Sequence, residues 1–287
     1  MNIVIIDKKD VNIKTANETL VVDTQKIPFR LIDTLIIVGK TSLITNDITK
    51  LTNQNINILL LSYSYANSSI ITSTVGKSPE LKLLQYKAST TSTLPIAKDF
   101  LTKKIQSHIA HLKNHDINIE FAPYHNKIEN ANTLDILLGI EGSFSKLYFG
   151  HYFSFFPKAL HKSKRSKRPP LDPLNALLSL NYTLFYNLIS IHLIAYGFEP
   201  GIGFLHRPFR SHNALASDLL ELIRADINAY VYDIFAKKII IQSDFTNKGG
   251  VFLKYEGRKK LWSHFREFSN TLEPKIKDNI AEFRRTL

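Results

Sequence analysis

Cysteine is absent from the 287 residues, and methionine and tryptophan occur once each. Without thiols there are no disulfides and no thiolate metal sites, so zinc fingers and zinc ribbons are excluded. Acidic residues are in short supply: 25 Asp and Glu face 37 Lys and Arg, a formal charge of +12. Such a surplus favours a polyanionic partner, either nucleic acid or an anionic membrane. The opening MNIVIIDKKD lacks the basic segment, long apolar stretch and small-residue site of a secretory leader. The expected location is cytoplasmic.

One uncharged run, Leu174 to Phe198, is long enough to cross a bilayer, but Asn175, Ser179, Thr183, Asn187 and Ser190 recur in it at helical spacing. A deeply packed helix with one polar stripe accounts for the same letters, so no membrane span is expected. Asp172 is placed to cap this helix, Pro173 to sit in its first turn and Gly197 to end it.

With 44% hydrophobic residues the chain can bury a sizeable core, and its length suits one large or two ordinary domains. Up to about residue 78, short β-branched runs (NIVII, ETLVV, DTLIIVG, NINILLLSY, SSIITSTV) are broken by turn-formers, with room for one helix in SLITNDITKLTNQNI. GKSPE, Gly76 to Glu80, reads as a hinge, after which the apolar period becomes helical. The expected fold is α+β: a small β-rich N-terminal domain, 1–78, for dimer or partner contacts, and a larger mainly α-helical catalytic domain, 79–287. Near the end, KKIIIQSDF and VFLKYEG flank an NKGG turn and read as a hairpin, followed by a closing helix rich in basic and aromatic residues. Trp262 and Phe265 are expected in the core.

Three stretches carry candidate chemistry. In PGIGFLHRPFRSHNALASDLLELIR, Pro200, Gly201 and Gly203 make a tight turn before His206, which Arg207 and Arg210 flank; a helix beginning near Ser211 or Asn213 then carries Asp218 and Glu221 on one face. An imidazole and two carboxylates can converge there on a divalent cation, with arginines close by for phosphate. In TLDILLGIEGSFSKLYFGHYF, Glu141 falls inside the apolar stripe of Leu134, Leu137, Leu138, Phe144, Tyr148 and Tyr152. A carboxylate so placed neutralises, pairs or binds a metal, and a salt bridge to an arginine competes with the metal. The third stretch is FPKALHKSKRSKRPPLDP, where Lys164, Arg165, Lys167 and Arg168 crowd a loop suited to phosphate contacts, a solvated loop being the alternative. Lys98, Lys103, Lys104 and Lys113 on an earlier helical stretch read as a solvated face, with some open to phosphate.

IEGSFSKLYF, KRPPLDPLNALLSLNYTLFYN, GFEPGIGFLH and SDLLELIR, in this order and spacing, resemble the CRISPR-associated protein one family, the integrase of spacer acquisition. The resemblance implies metal ligands at Glu141, His206 and Glu221, with Asp218 as an acidic neighbour. It also implies a homodimer that joins a dimer of CRISPR-associated protein two in a heterohexamer on double-stranded DNA. The sequence departs from the usual pattern at Ser145 and Lys146, where alanine and arginine are common. Carboxylate and imidazole donors without thiolate suit Mg²⁺ or Mn²⁺. The expected activity is metal-dependent endonuclease and integrase chemistry, in which a 3′-hydroxyl attacks a phosphodiester. Two readings compete with it: a metal-dependent nuclease on branched or single-stranded DNA, and a non-catalytic DNA-binding scaffold.

Overall fold

A computed structural model describes residues 2–65, 67–73, 78–210 and 212–287. Gly76 and Lys77 of the expected hinge, and Ser211 at the expected helix start, lie outside the described residues. The chain divides into two compact units, Met1–Lys77 with Leu261–Pro274, and Ser78–Lys260 with Lys275–Leu287.

The first unit contains β1 (Ile3–Ile6), β2 (Ile13–Ala16), β3 (Thr19–Val22), β4 (Gln25–Pro28), β5 (Thr34–Val38), α1 (Thr45–Asn53), β6 (Asn57–Leu61) and β7 (Ser68–Ile71). β1, β5 and β6 pair in parallel and β7 closes the sheet antiparallel on β6. Parallel neighbours need a crossover, and α1 between β5 and β6 supplies it. All five residues of β5 are buried, as suits a strand flanked by β1 and β6 with both faces covered. β2, β3 and β4 form a separate antiparallel meander. Its first turn places Asn17 and Glu18 at φ 45° and 56°, the left-handed pair of a tight hairpin. β2 and β4 escape the apolar-run criterion, because IKTA and QKIP are half polar. Leu20, Phe29, Leu35, Ile37, Leu51 and Ile58 lie in the core of this unit.

The second unit begins with α2 (Pro79–Thr91) and α3 (Thr93–Lys113), followed by α4 (Ala122–Glu129), α5 (Leu134–Ser154) and α6 (Pro173–Tyr196). After these come α7 (Ala214–Glu221), α8 (Arg224–Ala236), the short pair β8 (Phe245–Asn247) and β9 (Val251–Leu253), and α9 (Tyr255–Arg285). Asp172 accepts a 2.8 Å bond from the Asn175 amide at the start of α6 and Gly197 ends the helix at φ 90°. The α6 interior is largely buried, so its apolar run is core: α7 and α8 pack against it, and α5 and α8 against α3.

Three details differ from the sequence-based reading. SDLLELIR is not one helix, because Leu222 and Ile223 bond back to the carbonyls of Leu219 and Leu220. That tighter turn ends α7 and starts α8. The strands of the C-terminal hairpin are only three residues each, and Gln242–Asp244 form a 3₁₀ turn where a strand was expected. The closing helix is shared: a division at 78/79 assigns all of it to the second domain, whereas Leu261–Pro274 groups with the first unit. There the Trp262 indole donates a 2.9 Å hydrogen bond to the buried Asp7 carboxylate, and Leu261 and Phe265 are fully buried.

Candidate active site

Gln85 on α2 braces the turn that carries the histidine. Its amide donates to the carbonyls of Glu199 and Ile202 and accepts from the Glu199 amide, each at 2.9 Å. Gly203 is obligatory here, since a Cβ would stand 2.7 Å from the Ala214 Cβ and from the His206 carbonyl oxygen.

Beyond the turn, Asp218 organises the chain. It is fully buried, and Oδ2 accepts from the Phe204 and Leu205 amides at 2.6 and 3.1 Å. Oδ1 accepts from the His206 amide at 2.8 Å and from His206 Nδ1 at 2.7 Å. Four donors saturate a carboxylate. Asp218 is therefore a positioning group that fixes the imidazole tautomer and leaves Nε2 bare. Nε2 faces Glu221 Oε1 at 3.9 Å. Burial disfavours the imidazolium, but the bond to Asp218 and its charge outweigh burial and raise the His206 pKa.

Glu221, on the last turn of α7, is 3% exposed. Burial would raise its pKa; Arg224, Lys104 and His206 together hold it far below the usual carboxylate range. The guanidinium of Arg224 lies 3.0 Å from Oε1 and Lys104 Nζ lies 2.8 Å from Oε2. Oε2 is buried, with the Lys104 ammonium as its ion-pair partner. Across the site, Lys104 also donates to Glu141 Oε1 on α5. Ser145 Oγ, one turn along, donates to the same oxygen at 2.7 Å. Glu141 keeps a side chain 26% exposed. Burial raises its pKa and Glu221 adds to that, but the Lys104 charge and hydrogen bonds prevail and lower it.

His206 faces Glu221, and Lys104 stands between Glu221 and Glu141, the three residues the resemblance implies as ligands being Glu141, His206 and Glu221. Lys104 and Arg224 are two residues the sequence reading missed. Lys104 is buried, not solvated. The signal was its position in the buried α3 stripe of Ala97, Phe100, Leu101, Ile105 and His108. Arg224 stands three residues after Glu221, the helical interval for an ion pair. For Glu141 the competing salt bridge exists, but to a lysine.

Two carboxylates and an oriented imidazole nitrogen are a donor set that suits Mg²⁺ or Mn²⁺, and the buried Glu221 Oε2 has the Lys104 ammonium 2.8 Å away. Among the described residues no three acidic or histidine side chains stand close enough to hold one ion, because Lys104 lies between the carboxylates.

The basic residues separate into two groups. Arg165 turns inward: its guanidinium donates to Asn175 Oδ1 at 2.8 Å and to Ser179 Oγ at 3.2 and 3.3 Å. It lies 5.5 Å from the Tyr182 ring centre, with Arg224 4.6 Å from the same ring. Asn175 and Ser179, at the start of the polar stripe of α6, therefore anchor the basic loop. Lys164, Lys167 and Arg168 stay exposed. Partial burial of the Lys167 amino group, then the charges of Arg224 and Arg165, lower its pKa. Arg207 is exposed and 2.8 Å from Asp135; Arg210 is exposed and stacks on the exposed ring of Phe209. A cavity of about 410 Å³, lined by Thr93, Asn132, Thr133, Phe204, His206 and Arg207 among others, opens beside the imidazole.

Residues 4–267 match the family described as CRISPR associated protein Cas1. The CRISPR-associated endonuclease Cas1 1 of Thermodesulfovibrio yellowstonii is 31% identical over 290 residues, 93% of this chain and 91% of that one. Among solved structures, a casposase bound to integration product superposes with a TM-score of 0.83 at 23% identity, over 95% of this chain and 83% of that chain. A Cas6-RT-Cas1–Cas2 complex superposes at 0.78 and 24% identity, over 93% of this chain and 32% of that chain. At those identities the two structures speak to the fold, and the match over nearly the whole sequence speaks to descent. The chain belongs to the CRISPR-associated protein Cas1 family.

Proposed function

We propose that this protein is a metal-dependent DNA endonuclease and integrase that inserts short DNA fragments into a CRISPR repeat array. The observation that carries the reading is the buried Asp218, which orients His206 toward Glu221 with Glu141 opposite across Lys104. Glu141, His206 and Glu221 are the residues that would hold Mg²⁺ or Mn²⁺. A bound divalent ion supplies charge neutralisation on the phosphoryl oxygens and polarises the attacking hydroxyl.

The protein's own residues do the rest. Asp218 keeps Nε2 of His206 bare and fixed, so the imidazole needs no reorganisation before reaction. Arg224 holds Glu221 ionised and in place. Exposed Lys164, Lys167, Arg168, Arg207 and Arg210 bind the phosphate backbone and position the duplex without reading sequence. Arg165 supports them by pinning their loop to α6. The cavity beside His206 has room for a nucleotide next to the reacting phosphate. The reaction joins the 3′-oxygen of the incoming fragment to a repeat phosphorus and releases the 3′-oxygen of the target strand with a proton.

The partner reading, a homodimer that joins a dimer of CRISPR-associated protein two in a heterohexamer on double-stranded DNA, follows the family resemblance, and the neighbour described as a Cas6-RT-Cas1–Cas2 complex supports a CRISPR-associated protein two partner. The N-terminal unit is assigned to dimer or partner contacts.

The test is joining of a fragment with free 3′-hydroxyls to a supercoiled repeat-bearing plasmid, with Mn²⁺ and the partner protein. Glu141→Ala is expected to abolish joined products. Joining by this variant at the wild-type rate would overturn the assignment.

A further inference from the structure

Lys104 sits where two expected metal ligands meet. Its side chain is 3% exposed, it donates to Glu141 Oε1, and its Nζ is 2.8 Å from Glu221 Oε2. The other oxygen of Glu221 faces Arg224 at 3.0 Å. Glu221 therefore meets a different cation at each oxygen, and without any metal both carboxylates already have a counter-charge. Two carboxylates at such close quarters would otherwise repel, and one would take up a proton.

We propose that Lys104 is a tethered cation that occupies the place between Glu141 and Glu221, and that a divalent ion enters only by displacing it. The inference rests on the metal reading of the site. Its physical basis is mutual exclusion. A divalent ion in contact with Glu141 Oε1 and Glu221 Oε2 would lie within van der Waals range of the ammonium that now touches both, and like charges in a buried site repel strongly. Arg224 need not move, because it approaches the opposite oxygen of Glu221. The lysine stem has four rotatable carbons, so its head can leave while α3 stays in place. Neutral His108 backs the same segment of α3, with Nδ1 2.8 Å from the Lys104 carbonyl oxygen, and fixes the backbone from which the side chain swings. The exchange keeps the free protein charge-balanced and makes metal affinity the difference between two cations competing for one position.

The experiment titrates the full chain with Mn²⁺, reading free Mn²⁺ by electron paramagnetic resonance and stability by thermal unfolding. Lys104→Met and Lys104→Gln are each expected to bind Mn²⁺ at least about tenfold more tightly than wild type. Their metal-free Tm is expected to fall, and to rise on Mn²⁺ addition by more than that of wild type. Lys104→Arg, which keeps the charge, is expected to bind no more tightly than wild type. If Lys104→Met does not fold without metal, Lys104→Gln, which retains a hydrogen-bond donor, decides the matter. Folded neutral variants with wild-type or weaker Mn²⁺ affinity would overturn the exchange while leaving the metal site standing. A different result, no Mn²⁺ binding by wild type or by any variant, and no change on Glu141→Ala, would instead overturn the metal reading itself.

Discussion

The two halves of the candidate site are built differently. On the α7 side, Asp218 is fully buried with four donors, and Glu221 is 3% exposed between Arg224 and Lys104. On the α5 side, Glu141 has a side chain 26% exposed and is held by one lysine and one serine hydroxyl. In the first half, Asp218 is fixed by the backbone amides of residues 204–206, and Glu221 follows it on α7 with Arg224 on one oxygen. The second is fixed by side chains that can let go. A site that must admit an ion and a phosphate benefits from having both: one carboxylate held rigidly as a reference and another able to adjust.

Asp218→Ala attacks the rigid half and carries the largest expected effect. It strips three amides and an imidazole of their acceptor, and should cost about 3 kcal/mol or more in urea unfolding. Glu141→Gln attacks the adjustable half and should cost about 1 kcal/mol. Equal costs for the two would erase the distinction.

The α3 scaffold behind Lys104 offers a second test. Burial, then the nearby Lys104 charge, depress His108 to a pKa of about 3; burial, then His115, depress His111 to about 4, against an ordinary 6.5. Both are neutral when folded. Below pH 6.5 the unfolded chain takes up protons that the folded chain refuses, so stability falls with pH until the folded values are reached. The expected loss between pH 7 and 4 is up to several kcal/mol. Measured Tm across that range should show it, and His108→Gln should flatten the limb. An unchanged profile in that variant would remove His108 from the account.

Arg165 and its loop neighbours extend the contrast between held and free charges. Arg165→Ala should lower stability by about 2 kcal/mol, removing the donor to Ser179 Oγ and one of two donors to Asn175 Oδ1. It should leave the salt dependence of DNA binding close to that of wild type. Replacing Lys164, Lys167 and Arg168 by alanine should do the reverse, with little change in Tm and a slope of log Kd against log salt reduced by up to about 3. A reduced slope in Arg165→Ala would place its charge on DNA after all. The smallest effect is expected from Ser145→Ala, about 0.5 to 1 kcal/mol, since it removes one of the two donors to Glu141 Oε1.

Local chemistry made much of this legible in the letters. Asp172, Pro173 and Gly197 delimit α6 because a cap, a proline in the first turn and a left-handed glycine act within one helical turn of their own position. The turn at Gly203 and the neighbourhood of His206, Asp218 and Glu221 follow from a short segment with a tight corner. The polar residues of α6 were legible as a stripe, and their partner Arg165 was not. Nor was the distribution of α9 between two units, which depends on where Trp262 finds Asp7.

What the sequence by itself determined is therefore most of the helices and the apolar strands, the α+β order and the histidine and carboxylates capable of the chemistry, because periodicity, capping and turn propensity are short-range. What only the tertiary structure decided is which charges meet. Lys103 and Lys104 are neighbours in the chain, yet one pairs at the surface with Asp99 and Glu282, and the other closes the site between Glu141 and Glu221. The reason is that a helix turns about 100° per residue, so two identical letters face different surroundings. Only the packing of α3 against α5 and α8 shows which of them lies among the carboxylates.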